Sequence, residues 1–161
     1  MPISDTTFTP SRRAVHWLAQ GFGAGRLPYA PGTFGTLAAV PIYLLLMGLV
    51  PWLYGVVVLL LFALGVWAAS VTGRDLGAHD HPSIVLDEVV GFLITMFLAP
   101  PGWVWIVVGF ALFRLFDIWK PYPISLVDRR LENGLGCMLD DALAGVYALV
   151  VLQGVAYLYA A

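Results

Sequence analysis

From Leu27 to Gly73 the chain contains no Asp, Glu, Lys, Arg or His. An uninterrupted apolar run of that length predicts two membrane-crossing helices with a turn between them. Pro51 marks the turn, so the helices are expected over residues 36–50 and 52–72, with Pro41 near the start of the first, where proline is best tolerated. The first is shorter than the roughly 20 residues a perpendicular span needs. A polar segment, residues 74–82, leads into a third apolar helix over 83–99, which the turn Pro100-Pro101-Gly102 ends. A fourth helix is expected over 103–119, then a polar connector over 121–139 and a last helix over 140–159. Trp52 and Tyr54 follow one turn, Trp103 and Trp105 the other, and Tyr157 and Tyr159 sit near the C-terminus, as suits a headgroup belt. The predicted fold class is all-α: a polytopic integral membrane bundle of about five hydrophobic helices.

Composition agrees with the pattern. Of 161 residues 60% are apolar and 11% charged, and the mean hydropathy is +0.87, outside the usual soluble range. The length fits one membrane-embedded domain over residues 1–161, with residues 1–26 as a polar N-terminal segment. That segment carries Arg12 and Arg13 but no apolar stretch with a cleavage site, so it does not read as a signal peptide. A net charge of −2 leaves no electrostatic footprint for nucleic acid. The lone Cys137 has no partner for a disulfide or a CxxC motif. If both proline-containing turns and the C-terminus share one side, all eight Lys and Arg residues fall on the other, which the positive-inside rule makes the cytoplasm. All ten acids fall there too. The expected site is therefore polar and lies at the cytoplasmic rim.

Four segments converge on that rim. Residues 21–36 are rich in glycine, which permits close backbone approach to an anion at a helix start, although a plain entry loop has the same composition. The second segment carries Asp80, Asp87 and Glu88 at the mouth of an apolar stretch. Adjacent acids beside oil require a cation or a hydrogen-bond network, but acids in a first helical turn also serve the helix dipole. In the third, Arg114, Asp117 and Lys120 recur every three residues on one helix face, either converging on a ligand or forming a salt-bridge ladder. The fourth brings a second acid pair, Asp140-Asp141, at the expected start of the last helix. Carboxylates hold Mg²⁺ through oxygen, Mg²⁺ bridges to phosphate oxygens, and Arg and Lys complete a phosphate clamp. The combination points to phosphate chemistry. Cation transport is the rival reading, but it calls for ionisable groups near the bilayer midplane.

Across about residues 23–145 the sequence resembles the phosphatidylglycerophosphatase A family of membrane lipid phosphatases. The matching motifs are Pro28-Tyr29-Ala30-Pro31-Gly32-Thr33-Phe34-Gly35-Thr36, Asp80-His81-Pro82-Ser83-Ile84-Val85-Leu86-Asp87-Glu88-Val89-Val90-Gly91, Phe113-Arg114-Leu115-Phe116-Asp117-Ile118-Trp119-Lys120-Pro121-Tyr122-Pro123-Ile124 and Gly136-Cys137-Met138-Leu139-Asp140-Asp141-Ala142-Leu143-Ala144-Gly145. The resemblance implies an all-helical bundle and Mg²⁺-dependent hydrolysis of phosphatidylglycerol phosphate in a bacterial cytoplasmic membrane. The expected metal ligands are then Asp87, Glu88, Asp140 and Asp141, with Asp80 as an outer ligand or base. Arg114 and Lys120 are expected to hold the phosphate, Asp117 to orient one of them or reach the metal, and Gly32 and Thr33 to donate backbone N–H groups. Another lipid phosphate or diphosphate remains an alternative substrate. There is no phosphocysteine, phospho-aspartate or paired-histidine signature, so a metal-activated water is expected rather than a covalent intermediate.

Overall fold

The structure is a computed structural model that describes residues 8–27, 29–78 and 81–160. All regular structure among these residues is helical: α1 (Pro10–Ala19), a 3₁₀ turn (Gly21–Arg26), α2 (Pro31–Leu46), α3 (Pro51–Leu76), α4 (Leu86–Thr95), α5 (Trp103–Trp119), α6 (Ile124–Arg130) and α7 (Gly134–Ala160). The all-α expectation holds, but the crossings are unequal. Among the described residues only α3, of 26 residues, and α7, of 27, are long and apolar enough to cross a membrane. At 1.5 Å per residue each extends about 40 Å. The expectation of about five comparable hydrophobic crossings is thus corrected to two long helices with the shorter α2, α4 and α5 packed among them. Apolar composition alone does not set helix length. The third apolar stretch spends residues 81–85 as a loop and ends at Thr95, leaving a ten-residue α4.

Other boundaries moved because helix starts lie earlier than the apolar runs imply. Ala30, in the left-handed region at φ +46°, precedes Pro31 in the first turn of α2, so Pro41 falls inside that helix. Asn133 caps α7 by accepting a hydrogen bond from the Gly136 N–H at 3.0 Å, which starts the helix at Gly134. Asp140 and Asp141 therefore lie in its second turn. The expected polar connector also contains α6.

α4 sits at the centre, against α2, α3, α5 and α7. Its Val90, Phe92 and Leu93 are fully buried with Phe113, Met138 and Leu152 from α5 and α7. Outward-facing Leu59 and Leu60 of α3 and Val150 of α7 are about two-thirds exposed, an apolar surface suited to lipid. With the composition, these features make the chain a membrane protein.

The two hairpin turns meet at one end, where Tyr43, Met47, Pro51 and Tyr54 line a small crevice with Met96, Phe97 and Ala99. Trp105 packs edge-on against Tyr159 at 5.9 Å, bringing the C-terminus there too. The charged residues gather at the opposite end.

Candidate active site

Two glycines bring the acids together. Gly91 lies four residues, one helical turn, after Asp87 on α4, and Gly145 lies four after Asp141 on α7. A Cβ on Gly91 would stand 2.7 Å from the carbonyl oxygen of Asp141 and collide with the Phe113 ring, and one on Gly145 would collide with the Gly91 carbonyl oxygen. The helices touch backbone to backbone, and the Thr95 hydroxyl sits at the crossing, 3.0 Å from the Gly91 carbonyl of its own helix and 3.4 Å from the Gly145 carbonyl across it. One turn back from this crossing, oxygens of Asp87, Glu88 and Asp141 lie within 4.8 Å of one another.

These acids open into a cavity of about 330 Å³ that also takes Gly32, Arg114, Asp117, Lys120 and Asp140 into its wall. Gly32 is in the first turn of α2, where a Cβ would meet Glu88 Oε1 at 2.5 Å and Arg114 Nη1 at 2.9 Å. Only glycine leaves that space open. Arg114 is ion-paired with Asp117, one turn along α5. Lys120, the residue that ends α5, donates to Asp128 Oδ1 and Asp140 Oδ2, both at 2.6 Å. Burial alone would lower the Lys120 pKa, but hydrogen bonds to Asp128 and Asp140 outweigh it and hold the pKa above the ordinary lysine value. Its positive charge therefore persists across the physiological range.

Five carboxylates thus face two cations around one cavity. Asp87, Asp140 and Asp141 are each at most 6% exposed, and Glu88 Oε2 is buried with no hydrogen-bond partner among the described residues. Buried carboxylates in such excess either take up protons or gain positive charge from outside the chain. The donors are all hard oxygens, the chemistry that suits Mg²⁺. The residues therefore fit a divalent cation held by Asp87, Glu88 and Asp141, while Asp140 is engaged with Lys120. A helix-terminus role accounts for only part of this set: Asp87 Oδ1 accepts from the Glu88 N–H at 3.0 Å in the first turn of α4, but Asp140-Asp141 is not at a helix end.

The other expected residues divide. Asp80 lies outside the described residues. Thr33 is in α2 rather than in a loop, does not line the cavity, and spends its N–H on the Ala30 carbonyl at 3.0 Å. The glycine-rich stretch serves packing: a Cβ on Gly25 would collide with the Ser83 carbonyl oxygen, and Val85 N–H donates to the Ala19 carbonyl at 2.9 Å, fixing the loop that enters α4. Three participants went unread in the sequence. Asp128 is the second partner of Lys120, and Cys137 Sγ donates to Asp87 Oδ2 at 2.9 Å. The Gly91–Gly145 crossing is the third, and its signal was available in the matched acid-to-glycine spacing of four.

A family model described as phosphatidylglycerophosphatase A matches residues 17–156. The chain belongs to the phosphatidylglycerophosphatase A family. A relative of that name from Escherichia coli K12 is 47% identical over 139 residues, covering 85% of this chain and 80% of its own length. Another of that name, from Haemophilus influenzae, is 45% identical over 149 residues, 89% of both chains. A third relative, from Bacteroides thetaiotaomicron, is 40% identical over 146 residues, 84% of this chain and 89% of its own, and bears a provisional phosphatidylinositol-3-phosphatase name. No solved structure matches the chain. As a phosphatidylglycerophosphatase A family member, the chain is an enzyme, a phosphoric monoester hydrolase. Ion transport is not favoured, because the acids sit at one end of the bundle.

Proposed function

We propose that the chain hydrolyses phosphatidylglycerol phosphate to phosphatidylglycerol and inorganic phosphate, in a Mg²⁺-dependent reaction at the cytoplasmic face of a bacterial membrane. The observation that carries this reading is the convergence of Asp87, Glu88 and Asp141 within 4.8 Å beside Arg114. Mg²⁺ bound by these acids would neutralise phosphate oxygens and lower the pKa of an attacking water. Arg114, oriented by Asp117, has its guanidinium directed at Gly32 and receives the phosphate there through charge-assisted hydrogen bonds. Lys120 orients Asp140 and adds positive charge to the cavity wall. The cavity wall offers no Ser, Thr, Cys or His among the described residues, which supports direct attack by water. A carboxylate of the cluster accepts the water proton as the phosphorus–oxygen bond to glycerol breaks, and the leaving alkoxide takes up a proton. Asp80 serves as an outer ligand or base.

The test is phosphate release by purified protein from a panel of lipid phosphates, with Mg²⁺ or with chelator. Release from phosphatidylglycerol phosphate above the other lipids, lost with chelator and restored by Mg²⁺, is expected. Equal release from phosphatidylinositol 3-phosphate would shift the substrate assignment, and no release from any lipid would overturn the reading.

A further inference from the structure

The N-terminal segment is not the featureless polar tail its composition implies. Over residues 8–27 it carries Arg12, Arg13 and Arg26 and no Asp or Glu. α1 is amphipathic: its inner side buries His16 and Ala19, and Arg12 and His16 pair with Asp75 near the end of α3. That contact holds α1 beside the polar end of a membrane-length helix. Its outer side presents Arg13 and, one turn on, Trp17, which is 46% exposed and lies under the Arg26 guanidinium at 5.6 Å. Phe22 follows at φ +56°, a region that L-residues with large side chains avoid, yet its ring is 72% exposed. The chain accepts a strained backbone to display an aromatic ring outward, which has no benefit in water.

We propose that α1 and the following 3₁₀ turn form a docking surface for the anionic headgroup layer of the bilayer, with Trp17 and Phe22 inserted at the level of the glycerol backbone and Arg13 on lipid phosphates. Continuity with α3 selects lipid as the partner, because Arg12 and His16 fasten the surface to Asp75 at the polar end of that membrane-length helix. Exposed Arg13, on a segment with no acid of its own and beside an Asp75 already taken by Arg12 and His16, selects negative headgroups, and aromatic rings favour that interface.

The test needs no turnover, so it stands apart from the assigned activity. Phe22→Cys in a Cys137→Ser background, labelled with an environment-sensitive dye, is placed in nanodiscs of phosphatidylcholine alone or mixed with phosphatidylglycerol. A blue-shifted emission quenched by brominated lipids is expected in the mixed discs and much less in phosphatidylcholine. Arg13→Gln, or high salt, should remove the difference. Hydrogen exchange of residues 10–26 in the unsubstituted protein is expected to slow in the mixed discs. Water-like emission with unchanged exchange in both lipids would overturn the proposal, as would equal insertion in both.

Discussion

A buried carboxylate that binds a cation and one that merely supports the fold respond oppositely to neutralisation. Asp87→Asn and Asp141→Asn keep the shape of the side chain but remove one like charge from a group whose oxygens lie within 4.8 Å of one another. Without metal, the loss of that repulsion should leave the thermal midpoint in detergent unchanged or raise it. Mg²⁺ should raise the midpoint of the parent protein by binding its folded form, and that increment should vanish in both variants. Phosphatase activity should fall on the order of a hundredfold or more, since the lost charge stabilisation amounts to several kcal/mol. Asp75→Asn, at the α1–α3 contact, is the comparison for charge loss outside the cavity. Variants at Asp87 and Asp141 that keep both the Mg²⁺ increment and activity would show that these acids serve the fold alone.

At the scale of elements, the site depends on how closely α4 and α7 cross. Gly91→Ala places a methyl group 2.7 Å from the Asp141 carbonyl oxygen, so the helices must separate and carry Asp87 away from Asp141. Overpacking of this kind costs about 1–3 kcal/mol. The expected result is a lower thermal midpoint together with a higher Mg²⁺ concentration for half-maximal activity. Gly154→Ala, on the same α7 but with nothing within 4 Å of the new methyl, should be neutral or stabilising by up to about 1 kcal/mol. Equal behaviour of the two variants, in unfolding and in Mg²⁺ titration, would remove the crossing from the account of the site. The same scale explains why the last helix was misjudged. Its apolar pattern begins after the acids, but Asn133 caps it two turns earlier, so a buried mid-helix pair looked like a helix start.

For the whole molecule, both hairpin turns and the C-terminus share one end, and the described charges share the other. The proposed orientation, with the cavity toward the cytoplasm, is the one the positive-inside rule favours. A single cysteine at Trp52 or Gly102, in a Cys137→Ser background, should react with an impermeant thiol reagent added to intact cells once the outer membrane is permeabilised. Labelling only after the inner membrane is opened would invert the molecule. By itself, the sequence determined the solvent, the helical class and the chemical content of the site, because apolar runs, proline turns and clustered acids are local properties of the chain. It also pointed to Asp87, Glu88, Asp141 and Arg114 as candidates, and the fold brings all four to the wall of one cavity. Only the tertiary structure decided that two helices rather than five are long and apolar enough to cross a membrane, that Lys120 is engaged by Asp128 and Asp140, and that Thr33 does not line the cavity. Those outcomes depend on where helices are capped and how closely their backbones approach, and both are fixed by contacts between residues far apart in the chain.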